Sequence, residues 1–258
     1  MDSLLIIAIL PVLLIGMYIY AKDKDKEPKS LLLKLLLGGI GSALLCIFIS
    51  GIIECFIPNF TNFEDDANLI ELIFYVFLGI ALLEEGCKWL FAYKISFNNK
   101  EFDEFYDMII YCVFVSLGFA LFENIFYVLK GGYFVGISRA LFAVPGHACD
   151  GVFMGYFLGL AKIYQLNKNY DMMKKNIALS IIIPTIMHGV YDYLIMSRQP
   201  VFIVLFFILV VVMYVIAIKK VNKAVKLNQK FYSSNKYCPQ CGKEASGNFC
   251  GNCGKKLN

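Results

Sequence analysis

Long apolar runs separated by short charged stretches dominate this chain. A helix that crosses a bilayer needs about 20 mostly apolar residues. Seven runs of that kind are predicted as spans, over residues 3–21, 31–53, 69–93, 107–129, 140–161, 176–197 and 200–218. The first follows Met1-Asp2 without Lys or Arg and precedes no small-residue cleavage site, so we interpret it as a retained span rather than a signal peptide. The pattern predicts an all-α polytopic membrane protein.

Composition supports a lipid environment. Of the 258 residues, 59% are hydrophobic and only 17% charged, and the mean hydropathy is +0.66, whereas soluble domains carry about 25% charged residues. The net charge of +4 does not indicate a nucleic-acid surface, because the basic residues lie between apolar runs, where they orient a membrane protein. The expected partner is therefore the lipid bilayer, and no nucleic acid is expected.

Basic residues are unevenly divided between alternate loops. One set of loops holds sixteen lysines: Lys22, Lys24, Lys26, Lys29, Lys34, Lys94, Lys100, Lys162, Lys168, Lys174, Lys175, Lys219, Lys220, Lys223, Lys226 and Lys230. The other set holds only Lys130, Arg139 and Arg198, and it includes the acidic stretch Glu64-Asp65-Asp66. Because positive charge stays on the cytoplasmic side during insertion, the N-terminus is predicted outside the plasma membrane and the C-terminus in the cytoplasm.

The C-terminal tail contains two C-x-x-C pairs, each followed by Gly. The pairs are Cys238/Cys241 and Cys250/Cys253, and four thiolates in this spacing predict a structural zinc site. Two disulfides are the competing interpretation, but a cytoplasmic tail is reducing. We divide the chain into a transmembrane domain over residues 1–220, a linker over 221–235 and a zinc ribbon over 236–258. The ribbon resembles small zinc ribbons at the ends of prokaryotic membrane proteins, which implies a protein partner.

Several ionisable residues lie inside the predicted spans, where each costs free energy and indicates function. They occur as Glu84-Glu85-x-x-Lys88, Glu123, His147-x-x-Asp150 and His188-x-x-x-Asp192. Residues three or four apart share a helix face, so Lys88 can pair with either Glu and His188 with Asp192. Since lipid cannot solvate these groups, the helices are expected to turn them towards one interior cavity.

Simpler explanations exist for each member of this set. Lys88 can act as a counter-ion alone, and Glu123 as a neutral structural acid. The two histidines can be packing residues, and Asp150 can face water. Phe119 is interpreted as a packing residue.

The motifs resemble those of a known family. In chain order they are Glu84-Glu85-x-x-Lys88, Phe119-x-x-x-Glu123, His147-x-x-x-Gly151 and His188-x-x-x-Asp192. This set resembles the PrsW-type intramembrane proteases, which are related to the membrane-embedded CAAX-processing and bacteriocin-processing proteases, and the resemblance covers approximately residues 70–195. It implies hydrolysis of membrane-associated protein substrates, such as anti-sigma-factor-like regulators.

The chemistry of the residues is compatible with hydrolysis. A buried Glu84 or Glu85 can take a proton from water as general base, and His or Lys can stabilise the oxyanion. The family is often grouped with metalloproteases, so Glu123, His147 and His188 are candidate ligands of a catalytic zinc. A metal-free mechanism, in which His188 and Asp192 bind the oxyanion, is equally compatible with the sequence.

Two functions of other classes compete with the protease. An ion- or proton-coupled transporter would also bury carboxylates and histidines, but no internal repeat supports it. A non-catalytic scaffold that presents the zinc ribbon would not need the buried cluster.

Overall fold

The computed structural model describes residues 2–57 and 68–227, together with residue 252. Every regular element in these residues is helical, so the all-α prediction is confirmed. In chain order the helices are α1 (Asp2–Lys22), α2 (Lys29–Phe56), α3 (Leu69–Phe74), a π-helical segment (Tyr75–Ala81), α4 (Leu82–Ser96), α5 (Phe105–Leu141), α6 (Ala143–Leu166), α7 (Tyr170–Met196) and α8 (Pro200–Leu227).

Five segments of the described chain are long and apolar enough to cross a membrane. They are Ser3–Lys22, Lys29–Phe56, Phe105–Leu166, Tyr170–Met196 and Pro200–Lys226. The third contains two helices, α5 and α6, while Leu69–Ser96 is divided between two α-helices and the π-helical segment. An integral membrane protein is therefore confirmed, and the number of seven spans stays a prediction.

A glycine bends α5 near its C-terminal end. Gly132 has φ 71° and ψ −160°, a conformation that only glycine adopts readily. The chain then returns to helix and continues to Leu141, and Phe142 separates α5 from α6. The loop predicted between the fourth and fifth spans is wrong, because the bend is confined to Gly132 and the apolar residues after it are helical.

Helix α5 is the centre of the bundle. It contacts α1, α2, α4, α6 and α8, while α6 also packs against α7. Every residue from 105 to 113 is buried, as expected of a helix that is apolar all round and enclosed by other helices. Helices α2 and α5 approach each other closely, because a Cβ added at Gly118 would collide with the Leu36 carbonyl and one at Gly39 with the Val115 carbonyl.

The outer helices expose large apolar side chains, as a lipid-facing surface requires. Leu13 on α1, Leu37 on α2 and Val211 on α8 are more than half exposed. The polar residues of the predicted site lie instead on the inner faces of α4 to α7. The bundle thus hides its charges from the bilayer, because hydrocarbon cannot solvate them.

Two predicted features lie outside the described residues. They are the acidic loop at Glu64, Asp65 and Asp66, and the four cysteines of the predicted zinc ribbon. The helix α8 extends to Leu227 and so into the predicted linker.

Candidate active site

Helix α4 supplies a buried ion-pair group at its first turns. Because Lys88 lies three and four residues after the two glutamates, all three side chains share one helix face. The Lys88 ammonium donates to Glu85 Oε1 at 2.7 Å and to Glu84 Oε2 at 3.3 Å. Lys88 and Glu85 have no solvent exposure, whereas 13% of the Glu84 side chain is exposed. The π-helical segment directly precedes this turn, and such segments are frequent at functional sites.

Helix α6 links this group to α5 through His147. The His147 Nδ1 atom lies 3.0 Å from Lys88 Nζ, and its Nε2 atom lies 3.0 Å from Glu123 Oε2. An ammonium can only donate, so Nδ1 accepts from Lys88 and the Nε2–H donates to Glu123. The imidazole therefore carries a hydrogen-bonded connection from Lys88 to Glu123.

Helix α7 supplies His188, which faces carboxylates on both ring nitrogens. Its Nδ1 atom lies 2.8 Å from Glu85 Oε1 and 3.9 Å from Asp150 Oδ2. Its Nε2 atom lies 3.3 Å from Asp192 Oδ2 and 3.8 Å from Glu84 Oε2. The two imidazole rings are 5.4 Å apart between centroids. The four spans singled out in the sequence thus bring their ionisable side chains to one place.

Arg139 is a member of the site that the sequence analysis missed. Its Nη2 donates to Glu123 Oε2 at 3.1 Å and its Nε donates to Asn124 Oδ1 at 2.9 Å. The sequence analysis counted Arg139 as a loop charge, but it lies on the helical stretch after the Gly132 bend. The available signal was a single arginine within an otherwise apolar stretch.

Phe119 and Asp150 also contribute more than their sequence interpretation suggested. The Lys88 ammonium lies 4.1 Å from the centroid of the Phe119 ring, within range of a cation–π interaction. The sequence allowed Asp150 to face water, yet only 3% of it is exposed. We use the name site cluster for Glu84, Glu85, Lys88, Glu123, Arg139, His147, Asp150, His188 and Asp192.

A cavity of about 350 Å³ adjoins the site cluster. Glu84, Glu123, Arg139, His147, Asp150, His188 and Asp192 line it. Lys88 and Glu85 are not among its lining residues and lie behind Glu84. Of the two adjacent glutamates, only Glu84 can therefore meet a molecule in the cavity.

The donor atoms of the site cluster suit a metal ion. Ligand atoms of Glu84, Glu85, His147 and His188 lie within 4.8 Å of one another, and two imidazoles with a carboxylate are a common set for catalytic zinc. Glu85 Oε2 and Asp150 Oδ1 are buried without a hydrogen-bond partner in the described part of the chain. However, the Lys88 ammonium already contacts Glu84, Glu85 and His147 of this group, so a bound ion would compete with it for these atoms.

Charged groups gathered around a cavity inside an apolar helical bundle are the architecture of a membrane-embedded enzyme. Comparison with known proteins defines the enzyme further. Residues 27–218 match the sequence model described as "PrsW family intramembrane metalloprotease". The chain therefore belongs to the PrsW family and is an intramembrane protease.

Bacterial relatives support the same assignment over most of the chain. A protein named Protease PrsW from Oceanobacillus iheyensis is 35% identical over 230 residues, which are 88% of this chain and 100% of the relative. Proteins of the same name from Clostridioides difficile and Geobacillus kaustophilus are 32% and 34% identical, over 90% and 77% of this chain and 96% and 82% of their own lengths. No solved structure matches the chain significantly.

Proposed function

We propose that the cavity beside the site cluster is where a peptide bond of a membrane-associated protein is hydrolysed, with Glu84 as general base. The observation that carries this proposal is the different position of the two adjacent glutamates on α4. Glu84 lines the cavity, while Glu85 is fully buried against Lys88 and His188. Glu84 can therefore reach a water molecule in the cavity, and Glu85 is a positioning residue.

The reaction follows from these positions. The Glu84 carboxylate takes a proton from a water molecule, the resulting hydroxide adds to the scissile carbonyl carbon, and the carbonyl oxygen becomes an oxyanion. Arg139, which lines the cavity, supplies an N–H donor for that oxyanion, and in a metal-free mechanism His188, which also lines the cavity, supplies a second. The proton held by Glu84 then passes to the leaving amide nitrogen as the C–N bond breaks.

The remaining charged residues hold the reacting groups in place. Lys88 fixes Glu84 from behind the cavity wall and, with His147, Glu123 and Arg139, forms a continuous chain of hydrogen bonds. Asp192 lies beside His188 Nε2 and orients that ring. Side chains that are locked by such contacts lose little freedom when substrate binds, which favours catalysis.

A catalytic zinc ion is part of the proposal, and its ligands would be His147, His188 and Glu123. All three line the cavity, and the ion would take the place of the Nε2 proton of His147, which donates to Glu123 in this structure. A bound zinc ion would polarise the scissile carbonyl and lower the pKa of a bound water. Chelation tests whether the zinc ion is required. Cleavage that stops in excess chelator and returns when zinc is added supports a catalytic zinc ion. Undiminished cleavage in excess chelator shows that the side chains act without metal.

The proposed substrate is a single-span or membrane-associated protein, because the cavity lies among membrane-spanning helices. The test uses purified full-length protein in liposomes with candidate single-span proteins, followed by mass spectrometry of the products. We expect new termini that Glu84→Gln does not produce. Glu101→Gln is the matched control, since the Glu101 side chain pairs with Lys100 at the surface, at 3.5 Å, and is not among the residues that line the cavity. Equal cleavage by Glu84→Gln would contradict the proposed role.

We propose the orientation and the tail as the sequence predicts them. The N-terminus would lie outside, and the cytoplasmic tail would bind one structural zinc through Cys238, Cys241, Cys250 and Cys253. A membrane-impermeant thiol reagent applied to intact cells should leave the tail unlabelled. Labelling of the tail would contradict the orientation, and metal-free tail peptide that stays folded would contradict the zinc site.

A further inference from the structure

A second group of buried carboxylates lies away from the site cluster. Asp23 belongs to the linker between α1 and α2, and Glu104 and Asp107 lie at the start of α5. One ligand oxygen from each lies within 4.8 Å of one from each of the others, and all three residues are buried. We call these three residues the acidic cluster.

Backbone N–H groups hold one carboxylate oxygen of Asp107 and one of Asp23. Asp107 Oδ2 accepts hydrogen bonds from the backbone N–H of Glu104 at 2.6 Å and of Asp103 at 3.1 Å, which caps α5. Asp23 Oδ2 accepts from the backbone N–H of Glu27 at 3.2 Å. These contacts fix both carboxylates and leave their other oxygens available.

The second oxygen of Asp23 and that of Asp107 have no hydrogen-bond partner in the described part of the chain. Asp23 Oδ1 and Asp107 Oδ1 are buried and, among the described residues, accept no hydrogen bond. The two side chains belong to residues that are only 4% and 1% exposed. A buried carboxylate oxygen without a partner is costly, so these two atoms indicate that something else satisfies them.

Lys26, three residues after Asp23, forms no ion pair with the Asp23 carboxylate. Lys26 directs its ammonium to the backbone carbonyls of Tyr20 and Asp23, each at 2.6 Å. No ion pair to Asp23 or Asp107 forms within residues 2–57 and 68–227. A fourth carboxylate, Glu27, lies beside them, and burial, with a contribution from the Asp23 charge, raises its pKa to about 7.

We propose that the acidic cluster binds a hard divalent cation, Mg²⁺ or Ca²⁺, through Asp23, Glu104 and Asp107. These cations prefer carboxylate oxygens and bind them at about 2.0 to 2.6 Å, so oxygens that share one ion are separated by at most roughly 4 to 5 Å. The spacing within the acidic cluster meets that limit. The ion supplies the positive charge that the surrounding side chains lack.

Cation binding joins two parts of the chain that are distant in sequence. The linker residue Asp23 and the first turn of α5 would share one ion, which ties the α1–α2 linker to the central helix. Hard cations bind thiolates poorly, so the predicted cysteine site does not compete for them. The acidic cluster is therefore a stabilising site that is separate from the proposed zinc sites.

The test is thermal unfolding of full-length protein in detergent, after removal of metals with EDTA and addition of MgCl₂ or CaCl₂. At a cation concentration 100 times Kd, we expect the wild-type Tm to rise by about 5 to 10 °C. Asp23→Asn and Asp107→Asn should each lose most of this rise. The matched control Asp171→Asn, at an exposed position in the first turn of α7, should keep it.

The direction in which the Asn substitutions change the Tm in EDTA distinguishes a cation site from a purely structural cluster. Without cation, each Asn variant should melt at or above the wild-type temperature, because it keeps one acceptor oxygen and removes one repelling charge. Glu84→Gln should keep the full cation-dependent rise, which assigns the effect to the acidic cluster rather than to the site cluster. The opposite result, loss of the rise in Glu84→Gln alone, would overturn the proposal.

Direct binding keeps the proposal testable if a variant does not fold. Mn²⁺, a hard divalent probe, should bind to wild-type protein as measured by the loss of its free electron paramagnetic resonance signal. Wild-type protein that shows neither Mn²⁺ binding nor a cation-dependent Tm would refute the site. Equal Mn²⁺ binding by wild type and by both folded Asn variants would also refute it.

Discussion

The site cluster and the acidic cluster are both buried and both include residues of α5, yet they balance charge differently. In the site cluster, Lys88 and Arg139 contact the carboxylates directly, at 2.7 Å from Glu85 and 3.1 Å from Glu123. In the acidic cluster, Asp23 and Asp107 each keep one oxygen that no described residue satisfies. One cluster is balanced by its own side chains, and the other needs a charge from solution.

The difference shows what each cluster is suited to do. Buried charges persist only when they are paired and hydrogen-bonded. A cluster with its own cations keeps a fixed geometry, with Glu84 presented to a cavity, which suits catalysis. A cluster without its own cationic side chains depends on an ion from solution, so it stabilises the structure only when that ion is bound.

Removal of Lys88 should leave Glu85 without its closest cation and cause the largest loss of stability. In Lys88→Met, Glu85 stays fully buried without its counter-ion, and breaking such a pair costs about 3 to 5 kcal/mol. The thermal unfolding temperature in detergent measures the loss. Lys100→Met, which breaks only a surface pair, should change it little. Recovery of stability in Lys88→Met/Glu85→Gln is expected, and no recovery would contradict the pairing.

Arg139→Gln should weaken the charge balance on the α5 side of the site. It removes a charge-assisted hydrogen bond to Glu123, which is worth about 1.5 to 3 kcal/mol, so we expect about a 10- to 100-fold loss of kcat. Lys130→Gln removes an exposed charge from the same helix and serves as the control. Wild-type kcat in Arg139→Gln would show that Glu123 does not need this partner.

Gly118→Ala tests the packing that places both clusters on one rigid helix. The added methyl group would collide with the Leu36 carbonyl on α2, and overpacking of this kind costs about 1 to 3 kcal/mol. Gly51→Ala is the control, because nothing lies within 4 Å of a Cβ added at Gly51. A Tm for Gly118→Ala equal to that of Gly51→Ala would argue against the close α2–α5 contact.

Asp192→Asn should have the smallest effect. The substitution keeps an acceptor oxygen near His188 Nε2, and Glu85 still holds the other ring nitrogen at 2.8 Å. We expect less than about a 10-fold loss of cleavage, with an unchanged Tm. Complete inactivation would assign Asp192 a direct part in the reaction.

The sequence predicted the helical membrane class and the residues that meet around Lys88. Helical spacing placed Glu84, Glu85 and Lys88 on one face, and the cost of charge in lipid required the other helices to face them. Arg139 escaped this reasoning, since it lies between the fourth and fifth predicted spans and was counted among the loop charges. Only the φ of Gly132 in the folded chain shows that the helix resumes after a single bend.

The acidic cluster could not be recognised from the sequence. Asp23 is separated from Glu104 and Asp107 by three helices and the π-helical segment, so no local spacing connects them. The lysines beside Asp23 suggested a solvated, positively charged loop. Tertiary packing decides otherwise, because it buries the carboxylates and directs Lys26 to backbone carbonyls.

The central claim is that Glu84 is the general base and that Glu85 only holds neighbouring side chains in position. Measurements of cleavage and Tm on the same preparations of Glu84→Gln and Glu85→Gln test this claim most directly. Glu84→Gln should lose about 10²- to 10⁴-fold in cleavage with a Tm close to wild type, since Glu85 still balances Lys88. Glu85→Gln should lower the Tm together with cleavage, because Lys88 loses its closest partner. Wild-type cleavage by Glu84→Gln, or a fall in its Tm that accounts for its lost cleavage, would contradict the claim.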